Sequence, residues 1–174
     1  MKSLTVILHN IRSTYNVGAV LRTCEGFGVT RVVFSGYTPF WGQGLPHERE
    51  KLRRQIHKTA LGAEEMVKCE YVEDAADFIQ KIKDNNWKVL ALEQADKSIE
   101  LQNFRAEGDV DYALILGEEV HGVPPEILGL ADDILEIPMA GLKESFNVSV
   151  AAGIAIWELM KLPNGKIGCQ DKHR

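Results

Sequence analysis

The sequence predicts a single α/β domain built on a mostly parallel sheet flanked by helices. Short apolar runs alternate along the chain with segments in which apolar residues recur at helical spacing. Continuous apolar runs are typical of parallel strands that are covered on both faces. The chain has 174 residues, 45% of them hydrophobic and 26% charged, which is enough for one full core without metal or disulfide bonds.

Five apolar runs predict the strands of this sheet. They are residues 4–8, 31–34, 88–92, 112–116 and 134–137. Four segments with helical spacing lie between or after them. They are residues 17–27 with Asn16 as the N-cap, residues 74–83, residues 124–130 opened by Pro124 and Pro125, and residues 147–161. The last helix is apolar on nearly every face, so we expect it to lie centrally or in a subunit interface.

Two stretches fall outside this alternation. Residues 35–46 are rich in Gly, Pro and aromatic residues and predict a long loop. Residues 47–58 concentrate cations in a chain whose formal net charge is -5. These cations are Arg49, Lys51, Arg53, Arg54 and Lys58. Residues 163–174 lack apolar periodicity, so we expect a flexible tail after a single domain of residues 1–162.

The cysteines are Cys24, Cys69 and Cys169, which are odd in number and far apart. Their spacing fits neither a disulfide framework nor a zinc site, and it favours a reducing, cytoplasmic compartment. The apolar stretch near the amino terminus is too short for a signal peptide or a membrane span. We therefore expect no membrane association and no structural metal.

Several common nucleotide and hydrolase motifs are absent from the sequence. It contains no Gly-x-Gly-x-x-Gly, no Walker A sequence, no His-Glu-x-x-His and no Gly-x-Ser-x-Gly. Polar segments instead follow three of the predicted strands, at residues 9–22, 115–124 and 137–151. Because open α/β sheets bind ligands at the carboxyl ends of their strands, we expect these three segments to converge on one pocket.

These three segments resemble the three motifs of the SpoU-type, TrmH-like RNA methyltransferases of the SPOUT superfamily. The first motif is matched by Asn16 and Arg22 in an Asn-x5-Arg spacing, and the second by Gly117, Glu119 and Gly122. The third is matched by residues 138–149, and the resemblance covers residues 4 to 160 in order. The chain departs from the family at Phe146, where Leu is usual, and at Glu118, where Asn is common.

The resemblance implies a carboxy-terminal trefoil knot, a homodimer and S-adenosylmethionine as the cofactor. The implied reaction transfers the sulfonium methyl group to a ribose 2′-hydroxyl of RNA. The residues that the resemblance places against the cofactor are Leu92, Gly117, Ile137, Met139 and Phe146. Glycine at 117 and 141 is expected to let the backbone approach the ligand closely.

The resemblance also carries five residues into the catalytic site. They are Asn16, Arg22, Glu119, Ser145 and Asn147. A guanidinium with a pKa above about 12 is a poor base, so we expect Arg22 to bind the RNA phosphate and orient the ribose. Either the phosphate or Arg22 itself then takes the hydroxyl proton. Glu119 is expected to hold Arg22 or the knot loop, and the remaining residues are expected to supply orienting hydrogen bonds.

We expect the cation-rich stretch to contact the RNA substrate, although such a stretch is also typical of a solvated helix face. A compact tRNA is favoured, ribosomal RNA is the alternative, and no DNA partner is expected. Three rival hypotheses remain open at this point. The chain could be a catalytically silent RNA-binding or assembly protein, a base methyltransferase, or an unrelated small-molecule enzyme. Asn16 and Asn147 could also be no more than helix caps.

Overall fold

The computed structural model describes residues 3–161 and contains one parallel sheet. Its strands are β1 (Leu4–His9), β2 (Arg31–Ser35), β3 (Lys68–Val72), β4 (Lys88–Leu92), β5 (Ile99–Glu100), β6 (Tyr112–Leu116) and β7 (Asp133–Glu136). The seven strands lie in the order β3-β2-β1-β6-β4-β7-β5, and every neighbouring pair is parallel. All strands therefore end at the same edge of the sheet.

Helices cover both faces of the sheet. They are α1 (Thr14–Phe27), α2 (Pro46–Ala60), α3 (Ala63–Met66), α4 (Ala75–Asp84), α5 (Pro125–Leu128) and α6 (Val148–Met160), with a 3-10 turn at Leu101–Asn103. One hydrophobic core lies between the sheet and α1, α2 and α6, and a second lies between the sheet and α4 and α5. Because strand side chains alternate between the faces, Val6 enters the first core and Ile7 the second.

The five predicted strands correspond to β1, β2, β4, β6 and β7, so the predicted α/β sheet is confirmed. The two edge strands, β3 and β5, were missed. β3 carries only partly buried or exposed side chains, and β5 has two residues, so neither forms an apolar run.

The beginning of α1 differs from the prediction. The helix begins at Thr14, and its N-cap is Ser13, whose hydroxyl oxygen accepts a hydrogen bond from the backbone N–H of Asn16 at 3.3 Å. The predicted N-cap role of Asn16 is therefore wrong, and its side chain is available for other contacts. Asp74 caps α4 and Asn147 caps α6.

The loop between β2 and α2 is anchored by aromatic packing. Phe40 and Trp41 lie with their ring centroids 5.1 Å and 5.6 Å from that of Phe34, and Phe40 also stacks on Tyr71. The helix that follows, α2, packs closely on α1 at Gly18. A Cβ atom at Gly18 would lie only 2.4 Å from the carbonyl oxygen of Ile56. The two helices are therefore held at a fixed separation.

The predicted tail at residues 163–174 lies outside the described residues, as does Cys169. Among residues 3–161, no helix is long and apolar enough to span a membrane.

Candidate active site at the carboxyl edge of the sheet

A pocket of about 310 Å³ lies at the carboxyl ends of β4, β6 and β7. The five residues predicted to contact the cofactor all line it: Leu92, Gly117, Ile137, Met139 and Phe146. Glu119 and Ser145, from the predicted catalytic set, line it as well. The pocket is thus lined by residues of the loops after β4, β6 and β7; of the three segments predicted to converge, residues 115–124 and 137–151 line it and residues 9–22 do not. No group of three or more His, Cys, Asp or Glu side chains is placed to hold a metal ion within residues 3–161.

The loop after β6 folds back tightly on itself. The backbone N–H of Glu118 donates to the carbonyl of Gly122 at 3.1 Å, and the N–H of Gly122 donates to the carbonyl of Glu118 at 3.0 Å. A Cβ atom at Gly117 would lie 2.2 Å from the carbonyl carbon of Gly122. Glycine at 117 is therefore required by the loop itself. At Gly141 an added Cβ would meet no atom within 4 Å.

Glu93 joins two loops at the pocket and was missed in the sequence. Its Oε2 accepts a hydrogen bond from the backbone N–H of Val123 at 2.8 Å, and its Oε1 accepts one from that of Gln94 at 3.0 Å. The amide of Gln94 in turn donates to the carbonyl of Glu144 at 2.7 Å. The only sequence signal for Glu93 was its position directly after a predicted strand, where ligand-site residues cluster.

The three motifs meet through side-chain hydrogen bonds beside the pocket, which Glu119 lines. Asn16 Nδ2 donates to Glu119 Oε1 at 2.7 Å, and Asn147 Nδ2 donates to Asn16 Oδ1 at 3.3 Å. Asn147 Oδ1 accepts from the backbone N–H of Ser149 at 3.0 Å, so Asn147 is also the N-cap of α6. Residues separated by more than 100 positions in sequence thus form one polar cluster.

Arg22 is exposed on α1 and lies six positions after Asn16, about 9 Å along the helix axis. It makes no hydrogen bond or ion pair with any residue in the described range. The predicted contact between Glu119 and Arg22 is absent, because the carboxylate of Glu119 bonds to Asn16 instead. Ser145 is exposed and likewise makes no hydrogen bond within residues 3–161. Arg22 and Ser145 therefore have free donors.

A second polar cluster surrounds Glu118 and was not predicted from the sequence. The Glu118 carboxylate accepts a hydrogen bond from the hydroxyl of Tyr37, lies 3.1 Å from Arg12 Nη2, and contacts His121 Nδ1. The hydrogen bond from Tyr37, together with that from His121, lowers the pKa of Glu118 below its usual value. This cluster joins the loops that follow β1, β2 and β6. The only signal in the sequence was that Glu118 departs from the family pattern.

Part of the predicted cationic surface is internally neutralised. Arg53 forms an ion pair with Glu65, and Arg54 Nε bonds to Glu50 Oε1 at 2.8 Å. Arg49 Nε donates to the carbonyl oxygen of Trp41 at 3.1 Å and has no carboxylate partner within residues 3–161. Lys51 and Lys58 make no hydrogen bond or ion pair with other residues of the described range. A groove on the exposed face of α2 is lined by His47, Glu50, Lys51, Arg54, Gln55 and Lys58.

The fold and the site together define a class of protein. A parallel open sheet, with helices on both faces and a pocket at its carboxyl edge, is typical of an α/β enzyme that binds a nucleotide-like ligand. The SpoU rRNA methylase family model matches residues 3–157. The chain belongs to this family, and the predicted resemblance is confirmed.

Individual relatives and structures agree with this assignment. The chain is 31% identical over 175 residues to a tRNA (guanosine(18)-2'-O)-methyltransferase of Thermus thermophilus, covering 98% of this chain and 80% of that protein. The crystal structure of the A. aeolicus TrmH/SpoU tRNA modifying enzyme superposes with a TM-score of 0.75 at 26% identity, over 91% of this chain and 74% of that one.

A third similarity concerns the fold alone. An rRNA methyltransferase from Sinorhizobium meliloti, crystallised with AdoMet, superposes with a TM-score of 0.75 at 24% identity. The match covers 90% of this chain but spans only 55% of that protein.

Proposed function

We propose that this chain transfers a methyl group from S-adenosylmethionine to a ribose 2′-hydroxyl of RNA, with tRNA as the substrate. The observation that carries the proposal is the hydrogen-bonded cluster of Asn16, Glu119 and Asn147, which joins all three motifs beside the pocket that Glu119 lines. The Thermus thermophilus relative, named as a tRNA 2'-O-methyltransferase, supports both the reaction and the substrate.

The residues of the pocket suit S-adenosylmethionine. Leu92, Ile137, Met139 and Phe146 offer an apolar surface for the adenine ring, and the neighbouring backbone groups after β4 and β7 offer donors and acceptors for its edge. Carboxylates on the pocket wall, Glu119 among them, suit a ligand that carries positive charge. The cofactor supplies an electrophilic methyl group on its sulfonium.

Asn16 acts as a positioning residue. Its amide donor is bonded to Glu119 and its amide oxygen to Asn147, so neither group is free to bind substrate in this arrangement. The side chain instead holds the loop after β6 and the start of α6 against the start of α1. Such positioning matters because methyl transfer requires the ribose oxygen to lie in line with the methyl carbon.

Arg22 and Ser145 are the residues that contact the RNA. Both are exposed and carry donors without partners in the described range. The guanidinium binds a phosphate through paired hydrogen bonds, which orients the ribose. The Ser145 hydroxyl supplies an orienting hydrogen bond at the pocket wall. The proton of the ribose hydroxyl passes to a phosphate oxygen or to Arg22; the Arg22 route requires the guanidinium to give up a proton first, because its charged form has no acceptor, whereas the phosphate route does not.

The enzyme acts as a homodimer in this proposal, and α6 supports it. Val150, Ile154 and Trp157 are 49%, 38% and 43% exposed and recur at helical spacing, so they form one apolar stripe. A second copy of the chain covers this stripe.

Sedimentation equilibrium tests the association of two copies. Ile154→Glu is expected to yield monomer, while Met66→Glu, at an exposed position on α3, leaves the dimer intact. A monomeric wild type contradicts the dimer.

The proposal includes a trefoil knot near the carboxyl terminus of the domain. Its support is the direct contact among the three pocket loops. Glu93 bonds to Val123, and Gln94 bonds to the backbone of Glu144, so the loop after β4 is held between the other two. The domain spans residues 1–162.

Ribosomal RNA is the second candidate substrate, favoured by the name of the family. The experiment is transfer of labelled methyl from S-adenosylmethionine to tRNA and to ribosomal RNA in parallel, followed by nucleoside analysis. A labelled 2′-O-methylnucleoside from tRNA is expected. Label only in ribosomal RNA selects the second candidate, and label on a base overturns the ribose assignment. Cofactor binding without transfer to either RNA supports a silent RNA-binding protein.

A further inference from the structure

Tyr15 lies directly before Asn16 at the beginning of α1, and its side chain is exposed. Its carbonyl oxygen accepts a hydrogen bond from Thr59 Oγ1 of α2 at 2.9 Å. This bond and the close packing at Gly18 fix the first turns of α1 against the last turn of α2. The backbone that carries the Tyr15 ring is therefore held by two helices.

A cation lies beside this ring. Lys58 Nζ is 5.9 Å from the centroid of Tyr15, which is within the range of a cation–π contact. No carboxylate neutralises Lys58 in the described part of the chain. The pair therefore presents an exposed aromatic ring and an available positive charge at the edge of the polar cluster formed by Asn16, Glu119 and Asn147.

Lys58 is also the last cation of the α2 groove. His47, Lys51, Arg54 and Lys58 recur at spacings of three and four residues, so they share one face of α2. The groove that they line has a volume of about 500 Å³. The only carboxylate among its lining residues, Glu50, is bonded to Arg54. Lys51, Arg54 and Lys58 thus form a row of cations along α2 that ends beside the ring of Tyr15.

We propose that Tyr15 and Lys58 bind one unpaired nucleotide of the RNA, next to the nucleotide that is methylated. The base stacks on the Tyr15 ring, Lys58 contacts its phosphate, and the adjoining backbone lies in the α2 groove. The proposal rests on the proposed function and names the substrate more closely: an RNA loop or single strand. Bases within a duplex are stacked on each other and do not reach such a ring.

The test uses the full chain and a short single-stranded RNA that contains 2-aminopurine, whose fluorescence is quenched when it stacks. The same strand annealed to its complement is the duplex control. Wild-type protein is expected to quench the single strand and to bind it more tightly than the duplex. Tyr15→Leu is expected to lose the quenching and to weaken binding roughly 5- to 150-fold, which corresponds to the loss of one base stack. Tyr15→Phe keeps the ring and is expected to restore both.

Lys58→Gln is expected to reduce the dependence of log affinity on log salt by about 0.7, because one phosphate contact is lost. Lys68→Gln is the matched control, since Lys68 is exposed at the amino end of β3, away from the site. Thermal unfolding of each variant verifies that the protein is folded.

The nucleotide site is overturned if Tyr15→Leu binds and quenches the single strand like wild type, or if wild type binds the duplex equally well. Neither readout requires methyl transfer. Quenching that depends on Tyr15, in a protein that methylates no RNA, therefore supports the nucleotide site while contradicting the proposed reaction. If the protein methylates RNA and Tyr15→Leu binds RNA like wild type, the proposed reaction is supported and the nucleotide site is contradicted.

Discussion

Asn147 links the beginnings of α1 and α6: its Nδ2 donates to Asn16 Oδ1 at 3.3 Å, while its Oδ1 caps α6. The side chain is both a helix cap and a site contact. Asn147→Ala removes both roles, so we expect the free energy of unfolding to fall by about 1 kcal/mol and methyl transfer to slow. Asn147→Asp keeps a good cap but replaces the amide donor with a carboxylate.

Asn147→Asp is therefore expected to unfold at the denaturant midpoint of wild type and yet to lose about 10²-fold in kcat/KM. Denaturation and initial-rate measurements on the same preparations check this pair of outcomes. A fully active Asn147→Asp would show that Asn147 acts only as a cap.

Gly117→Ala tests the folded-back loop after β6. Because the added Cβ would lie 2.2 Å from the carbonyl carbon of Gly122, the loop must open, and we expect loss of S-adenosylmethionine binding in calorimetry. The expected decrease in the free energy of unfolding is about 1–3 kcal/mol. Gly141→Ala, which meets no atom within 4 Å, is the control and is expected to bind the cofactor normally. Equal affinities in the two variants would contradict the assigned role of Gly117.

Arg22→Ala tests the phosphate contact. Loss of two charge-assisted hydrogen bonds is expected to lower kcat/KM for tRNA by about 10²- to 10⁴-fold, with unchanged cofactor affinity and unfolding midpoint. Arg22→Lys keeps the charge but not the paired geometry and is expected to recover only part of the rate. Arg105→Ala removes an exposed arginine that bonds to the carbonyls of Gln102 and Phe104, and it is expected to remain active. Normal turnover by Arg22→Ala would refute the assignment.

The cations of α2 differ in whether a carboxylate neutralises them, so we expect them to contribute unequally to the salt dependence of RNA affinity. Replacing Lys51 and Lys58, which have no carboxylate partner in the described range, together by Gln is expected to reduce the slope of log affinity for tRNA against log salt by about 1.5, because two phosphate contacts are lost. Arg53→Gln is expected to change the slope less, since Arg53 is already paired with Glu65. Filter-binding titrations over a salt series measure both. The reverse ranking would place the RNA surface on the other side of α2.

His9 gives the fold a pH dependence. Burial lowers the pKa of its imidazole below 6.5, against a smaller opposing effect of Glu126. Its Nδ1 lies 2.9 Å from Ser35 Oγ and its Nε2 lies 3.1 Å from Asn10 Nδ2, an arrangement that suits the neutral ring. The fold therefore disfavours protonation, and stability is lost as the pH falls from 6.5 through the lowered pKa. Urea unfolding is expected to show a shallower loss in His9→Gln than in wild type below pH 6.5.

The central sheet was predictable because burial on both faces leaves continuous apolar runs, as in β4 and β6. The edge strand β3 was not, because one of its long sides has no neighbouring strand and its side chains are only partly buried. The prediction that Asn16 is the N-cap of α1 failed because two nearby residues suit that role. Both Ser13 and Asn16 suit an N-cap, and sequence alone does not say which one the helix uses.

The site residues were predictable in type and location but not in pairing. The motif spacing placed Asn16, Glu119 and Asn147 near one pocket, while the contact of Glu119 with Asn16 rather than Arg22 depends on how the loop after β6 folds back. Glu93 and Tyr37 each connect loops that come together because of the order of the strands in the sheet. No local sequence pattern encodes that order. Ion pairs such as Arg53 with Glu65 likewise join separate elements.

The close contact between α1 and α2 at Gly18 determines which substitutions the two helices tolerate. Of the residues of α2, only Ile56 and Ala60 are buried, so its outward cations are free to vary without disturbing the core. Position 18 tolerates no residue larger than glycine, because a Cβ there would meet the backbone of α2. Substitutions on the outer surface of α2 are therefore able to change the selectivity for one RNA over another. The spacing between that surface and the reacting ribose stays constant.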